Sequence, residues 1–85
     1  MTLYTGRTIK LTFVDSAMKA IVGNGMADVP FGTTLSAAKT IIGGVLIKKV
    51  SGRTMLGLEW EGVSITDDEE MEGVKHRDEV IVLLQ

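Results

Sequence analysis

The sequence predicts an α+β domain, a mixed four- to five-stranded sheet wrapped around one helix. Three stretches carry that prediction. Thr8 to Val14 alternates apolar Ile9, Leu11 and Phe13 with Lys10, Thr12 and Val14, the period of a strand with one buried side. Leu35, Ala38, Ile41 and Ile42 recur at spacings of three and four, the stripe of an amphipathic helix. Asp78 to Leu84 is almost continuously apolar, as suits a central, covered strand. One helix cannot cover two sheet faces, so a single sheet is the economical arrangement. Eighty-five residues, 45% of them hydrophobic, bound the chain to one small domain, residues 1–85.

In chain order, Met1 to Gly6 reads as a frayed start. Asp15-Ser16 is a turn signal after the first strand. Residues 17–30 admit two paths: a tight hairpin returning over Ala17 to Val22, or a longer connection returning over Met26 to Phe31. The preferred reading is one arm from Lys19 to Val29, interrupted by a turn at Gly23-Asn24-Gly25. Pro30 belongs at an end or an edge, since it donates no ladder hydrogen bond. Thr33-Thr34 supplies a helix cap, and Gly43-Gly44 is read as the stop. Val45 to Val50, VLIKKV, then reads as a strand. It would pair across Ser51–Thr54 with a second strand, Met55 to Trp60, whose Leu56, Leu58 and Trp60 share a face. Gly62 turns the chain, Val63 to Ile65 is briefly extended, and Asp67 to Glu72 forms an acidic helical turn anchored by Met71.

That order resembles the ubiquitin-like β-grasp fold. Thr34-Leu35 followed by Lys39 and Ile42 is similar to the family's helix start. Leu58-Glu59-Trp60-Glu61-Gly62 is similar to its strand and glycine turn. Ile65, Met71 and Val74 stand where the family places apolar anchors, and Val74 to Val82 resembles its closing turn and strand. The longer segment between helix and Leu58 is also similar to ubiquitin-like proteins of type VII secretion loci and to small β-grasp oxygenase subunits. The resemblance implies a protein–protein interaction module, acting as adaptor or assembly subunit. Within ubiquitin's recognition patch, Glu59 replaces the central apolar residue and Leu83 keeps an apolar counterpart. The chain ends Leu83-Leu84-Gln85, whereas conjugating modifiers and sulfur carriers of the fold end in diglycine. The alternative function is therefore such a modifier with its tail missing, or a small subunit of an enzyme, secretion or viral complex.

The composition narrows the chemistry. There is no cysteine, which removes disulfides and thiolate chemistry and suits a reducing compartment. No run approaches the ~20 apolar residues of a membrane span, and MTLYTGRTIK lacks the apolar segment of a signal peptide. The expectation is a cytoplasmic protein with no membrane partner. Residues 1–58 hold seven of the nine Lys and Arg residues, and residues 59–85 hold nine of the eleven acids. Such asymmetry can steer a partner, although opposed segments facing each other is the plainer explanation. No basic cluster is interleaved with aromatics, so nucleic acid is not expected. His76, the one histidine, lies between Lys75 and Arg77 in a turn and reads as a solvated turn residue; acid–base work would also need a positioned partner. The acidic run Asp67 to Glu70 lacks the glycine and ligand alternation of a calcium loop. The expectation is no enzyme, no cofactor and no metal. The candidate surface joins the outward side of Val45–Val50 and Leu58–Glu61 with Leu83, flanked by Lys48, Lys49, Glu59 and Glu61. It would receive a protein partner or a second copy.

Overall fold

The computed structural model describes residues 6–85; the expectation of a frayed start falls largely outside them. Its elements run β1 (Thr8–Asp15), β2 (Ala20–Asp28), α1 (Leu35–Lys49), β3 (Met55–Trp60), β4 (Val63–Ser64), α2 (Asp68–Glu72) and β5 (Glu79–Leu84). The five strands form one mixed sheet in the order β2-β1-β5-β3-β4. β1 and β5 pair in parallel at its centre, with Leu11 opposite Val80 and Phe13 opposite Val82. The other pairings are antiparallel. The expected α+β class and mixed sheet are therefore present.

The period of two decides what lies inside. Ile9, Leu11 and Phe13 of β1 and Val80, Val82 and Leu84 of β5 are buried, with Ala27, Leu58, Ile65, Met71 and Val74. Ala38, Ile42 and Leu46 of α1 join the same cluster. Their spacing of four puts them on one helical face, and that face covers the sheet's inner side. At the start of α1 the Thr34 hydroxyl oxygen accepts from the Ala37 N–H at 3.2 Å, the cap expected there.

Two expectations around α1 are overturned. The helix does not stop at Gly43-Gly44 but continues to Lys49, so Val45 to Val50 is not a strand. Each mid-helix glycine costs about 1 kcal/mol against alanine. Burying the Leu46 side chain returns about 1.5–3 kcal/mol, and partly buried Val45 and Val50 also pack on the core. Tertiary burial outweighs the local stop signal. Lys48 and Lys49 fall in the last helical turn, where cations favour the dipole. β3 consequently pairs with β5 and β4 rather than with VLIKKV.

The second arm is also corrected. β2 runs unbroken through Gly23-Asn24-Gly25, paired with β1 from Thr8↔Asp28 to Asp15↔Ala20, with one irregularity between Phe13 and Val14 that leaves Val22 over. These glycines are not a turn. A Cβ on Gly23 would stand 2.8 Å from Val50 Cγ2, and one on Gly25 would stand 2.9 Å from Val45 Cγ1. The end of α1 lies directly on the strand's backbone, and glycine is what permits it. β3 differs in a smaller way. Its register slips between Met55 and Gly57, which leaves Leu56 54% exposed rather than on the face of Leu58. Trp60 is half-buried against the core, as its inward reading requires. The β3–β4 turn is made by Glu61 and Gly62, both at positive φ (54° and 80°), the tight turn that matches strand twist.

Candidate interaction surface

α1 packs against the inner side of the sheet, and the alternation of the strands assigns the outer side. Lys10, Thr12 and Val14 of β1 point there, as do Ile81 and Leu83 of β5. Thr12 is paired with Ile81 and Val14 with Leu83. Glu59 stands opposite Ile81 and Gly57 opposite Leu83, while Ile21 stands opposite Val14. A row Ile21–Val14–Leu83–Gly57 thus crosses four strands, with Ile81 beside it. Val14, Ile81 and Leu83 are only half-buried, and Ile21 is 70% exposed. Toward the other end the face turns polar, where the Thr12 hydroxyl donates to Glu79 Oε2 at 2.6 Å.

The structure therefore brings together part of the surface expected from sequence. Glu59 and Leu83 share the outer face. Glu61 sits at the rim, in the turn after β3. Lys48 and Lys49 do not join them, because they belong to the helix on the opposite side. Val14, Ile81 and Ile21 also belong to the face, beyond the residues expected from sequence. The pairing register is what assembles them, and register between distant strands is not written in any one stretch.

Two polar constructions tie the loops at the ends of the sheet. Asp15 ends β1, and its Oδ1 accepts from the N–H groups of Ala17 and Met18 at 2.9 and 2.8 Å. Its Oδ2 pairs with the Arg53 guanidinium. The Met18 N–H, then the Arg53 guanidinium, hold the Asp15 carboxyl below its ordinary value. The hairpin turn is thereby tied to the loop preceding β3. The second construction centres on Arg7, whose side chain is fully buried. Its Nε donates to the Val29 carbonyl at 3.0 Å, and its Nη1 donates to the carbonyls of Glu72 and Val74 at 3.1 and 2.5 Å. The guanidinium lies 4.8 Å from the Phe31 ring centroid, and Nη2 is 3.8 Å from the Glu72 carboxylate. Burial lowers the Arg7 pKa, and Glu72 opposes that shift. One side chain ties the start of β1 to the segment after β2 and to the end of α2.

The acidic run is occupied with the same kind of work. Asp67 Oδ1 accepts from the Glu70 N–H at 2.7 Å and caps α2. Asp68 Oδ1 accepts from the Leu35 N–H at 2.7 Å, at the first residue of α1. Glu70 Oε1 accepts from the Thr66 hydroxyl and N–H, which hold its carboxyl below the ordinary value. Glu72 accepts from the Gly32 N–H at 3.0 and 2.8 Å. Carboxylates at helix starts satisfy amides that the helix leaves unpaired. His76 is exposed, and its Nδ1 accepts from the Thr8 N–H at 2.9 Å. Trp60 Nε1 donates to Asp78 Oδ2 at 3.1 Å. Among the described residues no three His, Cys, Asp or Glu side chains are placed to hold a metal, and no helix is long and apolar enough to cross a membrane.

Comparison of the chain with protein-family models, curated proteins and solved structures finds no match.

Proposed function

We propose that this chain is a ubiquitin-like β-grasp module whose work is non-catalytic protein binding through the outer face of its sheet. The observation that carries the reading is the row Ile21, Val14, Leu83 and Gly57, apolar, partly open to solvent and laid across four strands. A domain this small has few apolar residues to spare outside its core. Aliphatic side chains left contiguous on an open face mark a surface that gains by being covered. The fold assignment is supported by the sheet order β2-β1-β5-β3-β4 with its parallel central pair and by one long helix across the inner face. The carboxylates of Asp15, Asp67, Asp68 and Glu72 are engaged as caps and ties, as their hydrogen bonds illustrate. They hold the scaffold and leave recognition to shape and apolar contact.

The test is affinity capture from source lysate with the intact chain and with Leu83→Arg in parallel. Leu83 is on the outer face, so arginine there keeps its charged end in water and the fold survives. The expected result is a defined protein captured by the intact chain and lost with the variant, both showing the same circular dichroism. Equal capture by both would remove the outer face from the account.

A further inference from the structure

β2 ends the sheet, so the outer N–H and C=O groups of this strand meet no neighbouring strand among the described residues. Natural edge strands are usually protected by a lysine, a proline or a covering loop. Ala20 to Ala27 carries neither charge nor proline. It exposes Ile21 (70%), Val22 (40%) and Met26 (55%) instead. On the helix side Gly23 and Gly25 carry no side chains of their own, and Val50, Val45 and Lys49 of α1 lie over them.

We propose that two copies of the chain pair antiparallel through β2, about a two-fold axis at Asn24, joining their sheets into one. The strand is self-complementary about that residue. With Asn24 opposite the second copy's Asn24, Gly23 falls opposite Gly25 and Val22 opposite Met26. Glycines meet on the helix side, and apolar side chains meet beyond it. The bulge at Val22 limits the regular pairing to Val22–Met26. The charges flanking the segment select the direction. Lys19 precedes the strand and Asp28 closes it, so antiparallel pairing sets the basic end of each strand beside the acidic end of the other. Parallel pairing would set like beside like, which costs both affinity and register. A two-fold contact of this kind uses the same patch on both copies and closes on itself. It shares Ile21 with the outer-face row but uses the strand's edge, and it does not depend on that reading.

The chain has no cysteine, so single cysteines report the geometry directly. Residues facing each other across an antiparallel pair have Cα atoms about 4.5–5.5 Å apart, within disulfide reach. Under mild oxidation Asn24→Cys is expected to form a covalent dimer roughly tenfold or more faster than Lys39→Cys on the exposed side of α1, because pairing raises the local thiol concentration. Equal rates overturn the proposal. Sedimentation of the unmodified chain checks it without substitution, with a concentration-dependent shift from monomer to dimer expected. A monomer at every concentration overturns it. Asn24→Lys places two like charges on the axis and is expected to abolish that dimer. A dimer that persists in Asn24→Lys also overturns the proposal and moves self-association to another face.

Discussion

Arg7 is the residue on which the most separate segments converge, and nothing about its sequence position announces it. It lies at the edge of the described chain, and the flanking composition suggests a loose end. Its role becomes visible only when Val29, Glu72 and Val74 come within reach of one guanidinium. Arg7→Met keeps much of the apolar stem and leaves those carbonyls without their donors. Breaking a buried charged hydrogen-bonding group costs about 3 kcal/mol, a large share of the stability of an 85-residue domain. A fall in Tm of roughly 12–24 °C is expected in calorimetry. A change of only a few degrees would show that water or another group replaces the guanidinium. Asp15 carries a pH dependence of definite sign. Its folded pKa is below its unfolded one, so the unfolded chain binds more protons in acid. Its contribution is complete above the ordinary carboxylate value near 4 and is lost as pH falls through the lower folded value. Asp15→Asn should therefore lower Tm at neutral pH and flatten the decline of Tm on acidification. Glu70, shifted the same way, leaves a residual slope in that variant. A parallel, merely displaced Tm–pH curve would contradict the assignment.

At the scale of elements, two pairs of glycines do opposite things. Gly44 is exposed in mid-helix, and a Cβ there meets nothing within 4 Å. Gly44→Ala should stabilise the chain by about 0.8 kcal/mol. A loss of stability would mean that the helix ends where the local signal places it. Gly25→Ala should cost about 1–3 kcal/mol through overlap with Val45, and adding Val45→Ala should recover part of that loss. Failure of the double variant to recover would point to a backbone cause. These pairs also explain what could be read in advance. β1, the start of α1, β4, α2 and β5 follow from local periodicity, capping residues and turn residues. Their signals agree with their packing. The stretches 20–28 and 45–50 differ from expectation because glycine has the same appearance in a turn, in a helix held by burial and under a closely packed helix. β-branched Val45, Ile47 and Val50 favour a strand locally, while Leu46, four residues after Ile42, belongs to the helix. Tertiary contact decides such cases. The outer face shows the same limit. Leu83 and Glu59 are legible as outward residues, but a strand over 45–50 puts Lys48 and Lys49 beside them, and the helix that forms there instead carries both away.

For the whole molecule, the helix and the open face divide the labour. α1 closes one side of the sheet, Arg7 and the acidic caps fix the loops around it, and the other side keeps its apolar row. Basic residues predominate before Leu58 and acids after it, yet Arg7 of the basic part meets Glu72 of the acidic part within the fold. Charge asymmetry along the chain therefore does not by itself mark an open charged face, whereas the register of the strands assembles the apolar row. Lys48→Glu with Lys49→Glu, on the helix side, should leave partner capture within about twofold while Leu83→Arg abolishes it. The most direct measurement is the amide NMR spectrum of the labelled chain, titrated with the partner that the proposed capture would yield. Large shifts are expected at Val14, Gly57, Ile81 and Leu83. Shifts confined to the helix end at Lys48 and Lys49, or to α2, with the outer face unmoved, would contradict that expectation.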